Sequence, residues 1–360
     1  MIEALRYSPV IRLAALVMVG LVLGGLTLRW SAFRPGRWAR RLFKTGVTAG
    51  SLFLALSVAE LGLYLFHAET SGQGDTLASR RWMAMHWHPL NSLGYRDTEP
   101  PTYTDDGHKV VAVVGDSFAA GYGIARIEDR VGGVLSELLG RDWRVVTLAQ
   151  PGWGTASELA ALRDYPGRLD AVVLVYYVND VEEAARRSGL PPPHRGGSKP
   201  VWLRSWINRS YVFNLAYSRW SGWANLERAR AYWAYLRTCF ADPRVWAAHE
   251  EELGAIVSRC RRDDLELFAL VIPNLRAVEE SAPLTGKVAT FLRGLEVEVV
   301  DLGEHLTGRR GDDLVVSTTD AHANAALHRE MAEHVYQAMN ATWPSMRLSE
   351  VSLAHDASSH

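Results

Sequence analysis

Five short runs of apolar, largely β-branched residues recur along the chain, at Val110–Val114, Arg144–Leu148, Ala171–Tyr177, Leu265–Ile272 and Val297–Leu302. Continuous runs of this length, closed by turn-forming residues, are the pattern of strands buried on both faces of a parallel sheet. Between them, Arg130–Leu139, Ser157–Leu162, His249–Cys260 and Leu284–Leu295 carry apolar residues at helical spacing. A further periodic segment, Leu327, Met331, Val335 and Met339, closes the series. Strands alternating with helices predict one doubly wound α/β domain, a mostly parallel sheet covered on both faces, with functional groups at the carboxyl ends of the strands.

Upstream the pattern changes. Leu13 to Leu28 is uncharged, and Val47 to Phe66 is interrupted only by Glu60. Each approaches the roughly 20 residues that cross a bilayer. Arg29, Arg34, Arg37, Arg40, Arg41 and Lys44 lie between them with no acid, the composition of a cytoplasmic loop. The expectation is a transmembrane hairpin over 1–68 with both ends facing outward. The rival for the first segment is a cleaved signal peptide, but Leu28-Arg29-Trp30 offers no small-residue cleavage site. Gly20/Gly24 and Gly46/Gly50 have the spacing that lets helices approach closely. Glu60 is either a functional intramembrane carboxylate or one hydrated near the outer interface.

Residues 69–107 are polar and turn-rich, as in Ser71-Gly72-Gln73-Gly74-Asp75 and Glu99-Pro100-Pro101, and are expected to form a juxtamembrane stalk. The globular domain is assigned to 108–345 and a tail to 346–360. Within the domain, 181–247 breaks the βα rhythm with Pro191-Pro192-Pro193, and six of the 13 tryptophans fall between Trp202 and Trp246. Those rings are either ordinary core of a helical insertion, a lid, or a surface that touches the membrane. The net charge of −1 conceals an asymmetry: residues 1–50 carry eight Lys/Arg against Glu3, and the remainder 31 basic against 39 acidic residues. Because the basic cluster lies between apolar spans, topology explains it and no nucleic-acid partner is implied. Cys239 and Cys260 form no CxxC or metal spacing, which argues against zinc; one disulfide and two buried thiols both remain open.

Four turn motifs follow successive predicted strands. Gly115-Asp116-Ser117-Phe118 follows the first, which places Ser117 at a strand-to-helix turn at the sheet's edge. A serine hydroxyl needs a base to take its proton and a third group to orient that base. Asp320-Ala321-His322-Ala323-Asn324 supplies both in a loop after the last strand, with His322 as base and Asp320 holding its tautomer. Gly152, in Gln150-Pro151-Gly152-Trp153, offers a backbone N–H, and Asn179, in Asn179-Asp180, a side-chain donor for a developing oxyanion.

In the order Ser, Gly, Asn, His, these motifs resemble the four sequence blocks of the SGNH (GDSL-like) hydrolases, over roughly His108 to Met339. Asn91-Ser92-Leu93-Gly94-Tyr95-Arg96-Asp97 also looks like the approach segment of bacterial membrane-anchored members. The resemblance implies a flavodoxin-like three-layer α/β/α sandwich and an acyl-Ser117 intermediate. It also implies an oxyanion hole of Ser117 N–H, Gly152 N–H and the Asn179 side chain, with no metal or organic cofactor. Three positions depart from the pattern: Tyr177 stands where Gly-x-Asn-Asp has its glycine, Thr319 where an Asp commonly precedes the His by three, and Leu327 where a Gly commonly follows.

The function expected is a serine esterase that removes short acyl groups, acetyl foremost, from an extracytoplasmic glycan or lipid. Its place would be the cytoplasmic membrane of a bacterium, with the domain on the periplasmic side. The alternatives are an O-acyltransferase serving a cell-surface polysaccharide, with a membrane-bound O-acyltransferase as partner, and a non-catalytic assembly subunit of the same fold.

Overall fold

The computed structural model describes residues 37–71, 76–100, 107–193 and 202–342, with Ala15 and Met18. The expected first span and the tail lie outside the described residues. In chain order the elements begin with α1 (Arg37–Phe66), α2 (Leu77–His86), β1 (Lys109–Gly115), α3 (Val131–Leu139), β2 (Trp143–Ala149), α4 (Thr155–Asp164), β3 (Ala171–Tyr177) and α5 (Val181–Arg187). The helices α6 (Arg204–Arg209), α7 (Tyr211–Trp220), α8 (Gly222–Ala241) and α9 (Pro243–Arg262) follow. The chain closes through β4 (Glu266–Ile272), α10 (Val278–Gly294), β5 (Glu298–Asp301), α11 (Leu302–Leu306), β6 (Val315–Ser317), β7 (Asp320–Ala323) and α12 (Ala325–Thr342). They fall into two compact units, one of residues 1–84 and 196–228, the other of 85–195 and 229–360.

The second unit is the α/β domain. Its five strands are all parallel in the order β2-β1-β3-β4-β5, the flavodoxin-like arrangement. Strand residues alternate between two cores. Val110, Ala112, Val114, Val172 and Leu174 pack with α4, α5 and α9 on one face, and Val111, Val113, Val173 and Val175 with α3 and α12 on the other. That two-sided burial explains why the strands read as unbroken apolar runs.

The helices extend beyond their periodic segments for local reasons. Asp242 caps α9, accepting from the N–H groups of Arg244 (2.8 Å) and Val245 (3.4 Å), and Pro243 fills a first-turn position that needs no donor. Helix α10 starts ahead of the predicted Leu284 and carries Pro283 in its second turn. Cys239 and Cys260 are both buried free thiols, which decides between the two open readings.

Residues 85–100, assigned from sequence to a stalk, belong to the α/β unit. Arg96 and Asp97 are buried in it at 1% and 7% exposure. The turn-rich composition that suggested a stalk reflects loops whose polar side chains satisfy buried backbone groups. The Trp-rich insertion is likewise divided: α6 and α7 lie in the first unit, while Tyr235, Leu236 and Phe240 of α8 join the core of the second.

The first unit contains α1, whose segment Lys44–Phe66 (23 residues, mean hydropathy 1.7) is long and apolar enough to cross a membrane and is only 11% buried. Glu60 is covered by protein rather than open to solvent. It is 2% exposed, and its carboxylate accepts from Ser210 Oγ (2.7 Å) and the N–H groups of Tyr211 (2.9 Å) and Val212 (3.0 Å), at the start of α7.

Candidate active site

β1 ends at Gly115, flanked in register by Ala149 of β2 and Val175 of β3. A Cβ at Gly115 would lie 2.7 Å from the Val175 carbonyl oxygen and 2.8 Å from Ala119 Cβ, so only glycine lets the chain turn here. The turn is not the start of a helix, as expected, but a run of tight turns with α3 beginning at Val131. Ala120 N–H donates to Asp116 O (3.0 Å) and Tyr122 N–H to Ser117 O (2.9 Å). Ser117 is thereby held at the carboxyl edge of the sheet with 8% exposure.

Asp320 and His322 are not in a loop. They lie on β7, paired antiparallel with β6 in a separate two-stranded ribbon. Residues two apart on a strand share a face. Asp320 Oδ1 therefore accepts both the His322 backbone N–H (3.1 Å) and the ring Nδ1–H (2.5 Å). His322 Nε2 lies 2.9 Å from Ser117 Oγ. With the ring proton on Nδ1, the Nε2 lone pair faces the serine hydroxyl. Asp320 is fully buried, and the His322 side chain is 16% exposed. Thr319, three before His322, turns outward and bonds Ser317 Oγ at 3.1 Å.

Aromatic rings frame this imidazole. Phe118 and Tyr122 lie 5.1 and 4.8 Å from it, and Tyr177 packs on Phe118 at 4.2 Å. The Tyr177 ring is thus spent against Phe118. Sequence reasoning missed Tyr122, whose only signal was its place in a turn after the nucleophile motif.

Asn179 and Gly152 follow β3 and β2, the strands on either side of β1. Asn179 Nδ2 lies 3.4 Å from Asp116 Oδ2, and its Oδ1 is buried without a hydrogen-bond partner. Gly152 is exposed on the loop after Ala149 with φ +86°, a conformation glycine adopts freely. Among the described residues it makes no hydrogen bond to Ser117 or Asn179; what it shares with them is the sheet's edge.

Buried carboxyls back this edge. Asp116 accepts from Phe118 N–H (2.8 Å) and lies 3.2 Å from Ser117 Oγ, and burial pushes its pKa up against the lowering effect of those bonds. Asp180 accepts from Tyr177 N–H at 2.8 Å. Glu158 is fully buried with neither carboxyl oxygen hydrogen-bonded. Burial first raises both groups well above their ordinary values, followed by the charge of Asp116 for Glu158 and of Glu158 and Asp116 for Asp180.

Arg96 secures the loop after the nucleophile. Its guanidinium donates to the carbonyls of Gly121 (2.9 Å), Ile124 (2.7 Å), Ala125 (3.1 Å) and His86 (2.9 Å), and burial lowers its pKa to about 10. Sequence reasoning noted this residue only within the approach segment. Among the described residues no cluster of three His, Cys, Asp or Glu side chains is arranged to hold a metal ion.

The fold and site together define an α/β protein of flavodoxin-like order with serine, histidine and aspartate in hydrogen-bonded series at the carboxyl edge of its sheet. No family model matches the chain, and no curated protein does. Among solved structures it is similar to a carbohydrate acetylesterase from Sinorhizobium meliloti (14% identity over 65% of this chain and 100% of that one, TM-score 0.39). It is also similar to an aryl esterase of M. smegmatis (14%, 65% and 99%, TM-score 0.36) and a psychrotrophic esterase from Pseudoalteromonas sp. (12%, 64% and 97%, TM-score 0.37).

Proposed function

We propose that the chain is a serine esterase that removes short acyl groups, acetyl foremost, from a glycan or lipid outside the cytoplasmic membrane, anchored by α1. The observation that carries the reading is the series Asp320 Oδ1, His322 Nδ1, His322 Nε2, Ser117 Oγ, with contacts of 2.5 and 2.9 Å.

Ser117 Oγ attacks the acyl carbonyl carbon while its proton passes to His322 Nε2. The imidazolium is stabilised by the buried Asp320 carboxylate. The resulting oxyanion takes hydrogen bonds from Ser117 N–H, Gly152 N–H and the Asn179 amide N–H that does not face Asp116. The bond from carbon to the leaving alcohol oxygen then breaks as Nε2 returns the proton to that oxygen, leaving acyl-Ser117. Water adds by the same route and the carboxylic acid departs. Asp116 bears on the first step: as a carboxylate it competes for the Ser117 proton, whereas protonated it donates to Oγ and leaves that proton to Nε2.

The test is hydrolysis of p-nitrophenyl acetate by the full-length protein in detergent, beside Ser117→Ala and His322→Ala. Activity in the wild type that both substitutions abolish supports the reading; no wild-type hydrolysis, or hydrolysis that survives both, sinks it. Intact-mass detection of an acyl adduct on Ser117 that is discharged to a glycan hydroxyl rather than to water would redirect the same chemistry to O-acyl transfer.

A further inference from the structure

We infer that residues 202–221, hooked to α1 through Glu60, rest in the polar–apolar boundary of a bilayer and bind its anionic lipid surface. This rests on α1 being a membrane span.

The depth is set by Glu60. It lies six residues before the end of α1, so the start of α7 that it caps sits about 9 Å inside that end. That is the depth at which interfacial helices bury their apolar face. Around the same level, Tyr64 meets Tyr211 edge-on with centroids 5.7 Å apart. Arg81 stacks over Tyr64 at 4.8 Å and donates to Leu65 O at 3.1 Å. Amphipathic rings and arginines grouped at the end of an apolar span are what the headgroup region selects.

Composition and exposure identify the occupant. Residues 202–226 contain Arg204, Arg209 and Arg219 and no acid, and all three arginines are exposed. Trp202 and Trp220 are exposed at 76% and 68%, which excludes the plain core reading for these rings. Exposed tryptophans interleaved with exposed positive charge suit an anionic interface better than either water or hydrocarbon. On α1 itself, Leu52, Leu54 and Val58 are exposed at 60%, 50% and 64%, apolar side chains turned outward on more than one side of the helix.

The experiment places single nitroxide labels on the full-length protein in phosphatidylcholine vesicles with and without phosphatidylglycerol. Labels at Trp202→Cys and Trp220→Cys report the element, Leu52→Cys reports α1, and Glu137→Cys on the surface of the other unit is the aqueous reference. Collision with oxygen relative to a water-soluble nickel chelate measures immersion. With Leu52 immersed, the expected ratio at 202 and 220 is several-fold above that at 137, rising when phosphatidylglycerol is present. A ratio equal to that at 137 with Leu52 still immersed overturns this inference alone. Labels shielded from both reagents would mean a protein partner and overturn it equally. A water-like Leu52 overturns the span reading and this inference with it.

Discussion

Arg130 Nη2 donates to Asp97 Oδ1 at 2.7 Å, with the two side chains 2% and 10% exposed. The other Asp97 oxygen accepts Thr147 N–H of β2 at 2.7 Å, and Arg130 also donates to the Arg96 carbonyl. The pair therefore ties β2 and the start of α3 to the residue whose guanidinium holds the nucleophile loop. Removing one partner leaves a buried charge, and Arg130→Met is expected to cost about 3–5 kcal/mol. Urea denaturation of the full-length protein measures it. In the Arg130→Met background, Asp97→Asn should recover part of that loss; a first substitution without measurable cost would show the pair to be solvated.

Asp320 occupies the position where the sequence departs from the usual spacing, yet its carboxylate reaches His322 Nδ1. In Asp320→Asn the amide presents an N–H to the ring and selects the tautomer with the proton on Nε2, facing Ser117. A fall in kcat on the order of 10⁴ is expected, with KM little changed. Thr319→Ala, at the usual position, should alter the barrier by no more than about 0.5 kcal/mol. Comparable losses in the two variants would remove Asp320 from its role.

Glu158 weakens the fold at neutral pH. Its folded pKa is raised well above 4.5, so between those values the native state binds more protons than the unfolded chain and stability falls as pH rises. Glu158→Gln removes the titration. Its urea midpoint relative to wild type should climb as pH is raised above about 4.5. A difference that does not change with pH would mean that Glu158 titrates normally.

How far the sequence was legible depended on whether burial or partnership decided a feature. The five strands were readable because sheet-buried residues must be apolar on both faces, and Ala171–Tyr177 matches its predicted bounds. Ser117 was readable because its turn motif closes a strand, and His322 because it completes an ordered series of motifs, although it lies within β7 and not in a turn. Asp320 was named from sequence as the partner of His322, but the strand that brings it there, with residues two apart on one face, was not, because the segment reads as loop. Arg96 and Asp97 were hidden for another reason: a buried charge looks like a surface charge until its acceptors, here loop carbonyls and Arg130 from elsewhere in the chain, come into place. Glu60 likewise acquires meaning only from donors that lie 150 residues away.

His328 supplies the acid limb of stability. It is fully buried on α12, its Nδ1 accepting Val131 N–H at 3.1 Å and its Nε2 buried without a partner. Burial, with His322, Arg130 and Arg96 nearby, lowers its pKa to about 3. A protonated ring would lose the Val131 bond and add a charge where positive groups already gather. Between about pH 6.5 and 3 the unfolded chain binds the proton and the native state does not. Stability from this group is therefore complete above pH 6.5 and is lost as pH falls through that window, to the extent of about 4–5 kcal/mol. His328→Asn keeps an acceptor for Val131 N–H but no titration. The variant should be less stable at pH 7 yet decline less steeply toward acid, so that the two urea-midpoint curves converge near pH 4. Parallel curves across the window would mean that His328 takes up its proton alike in the folded and unfolded protein, and would remove it from the acid limb.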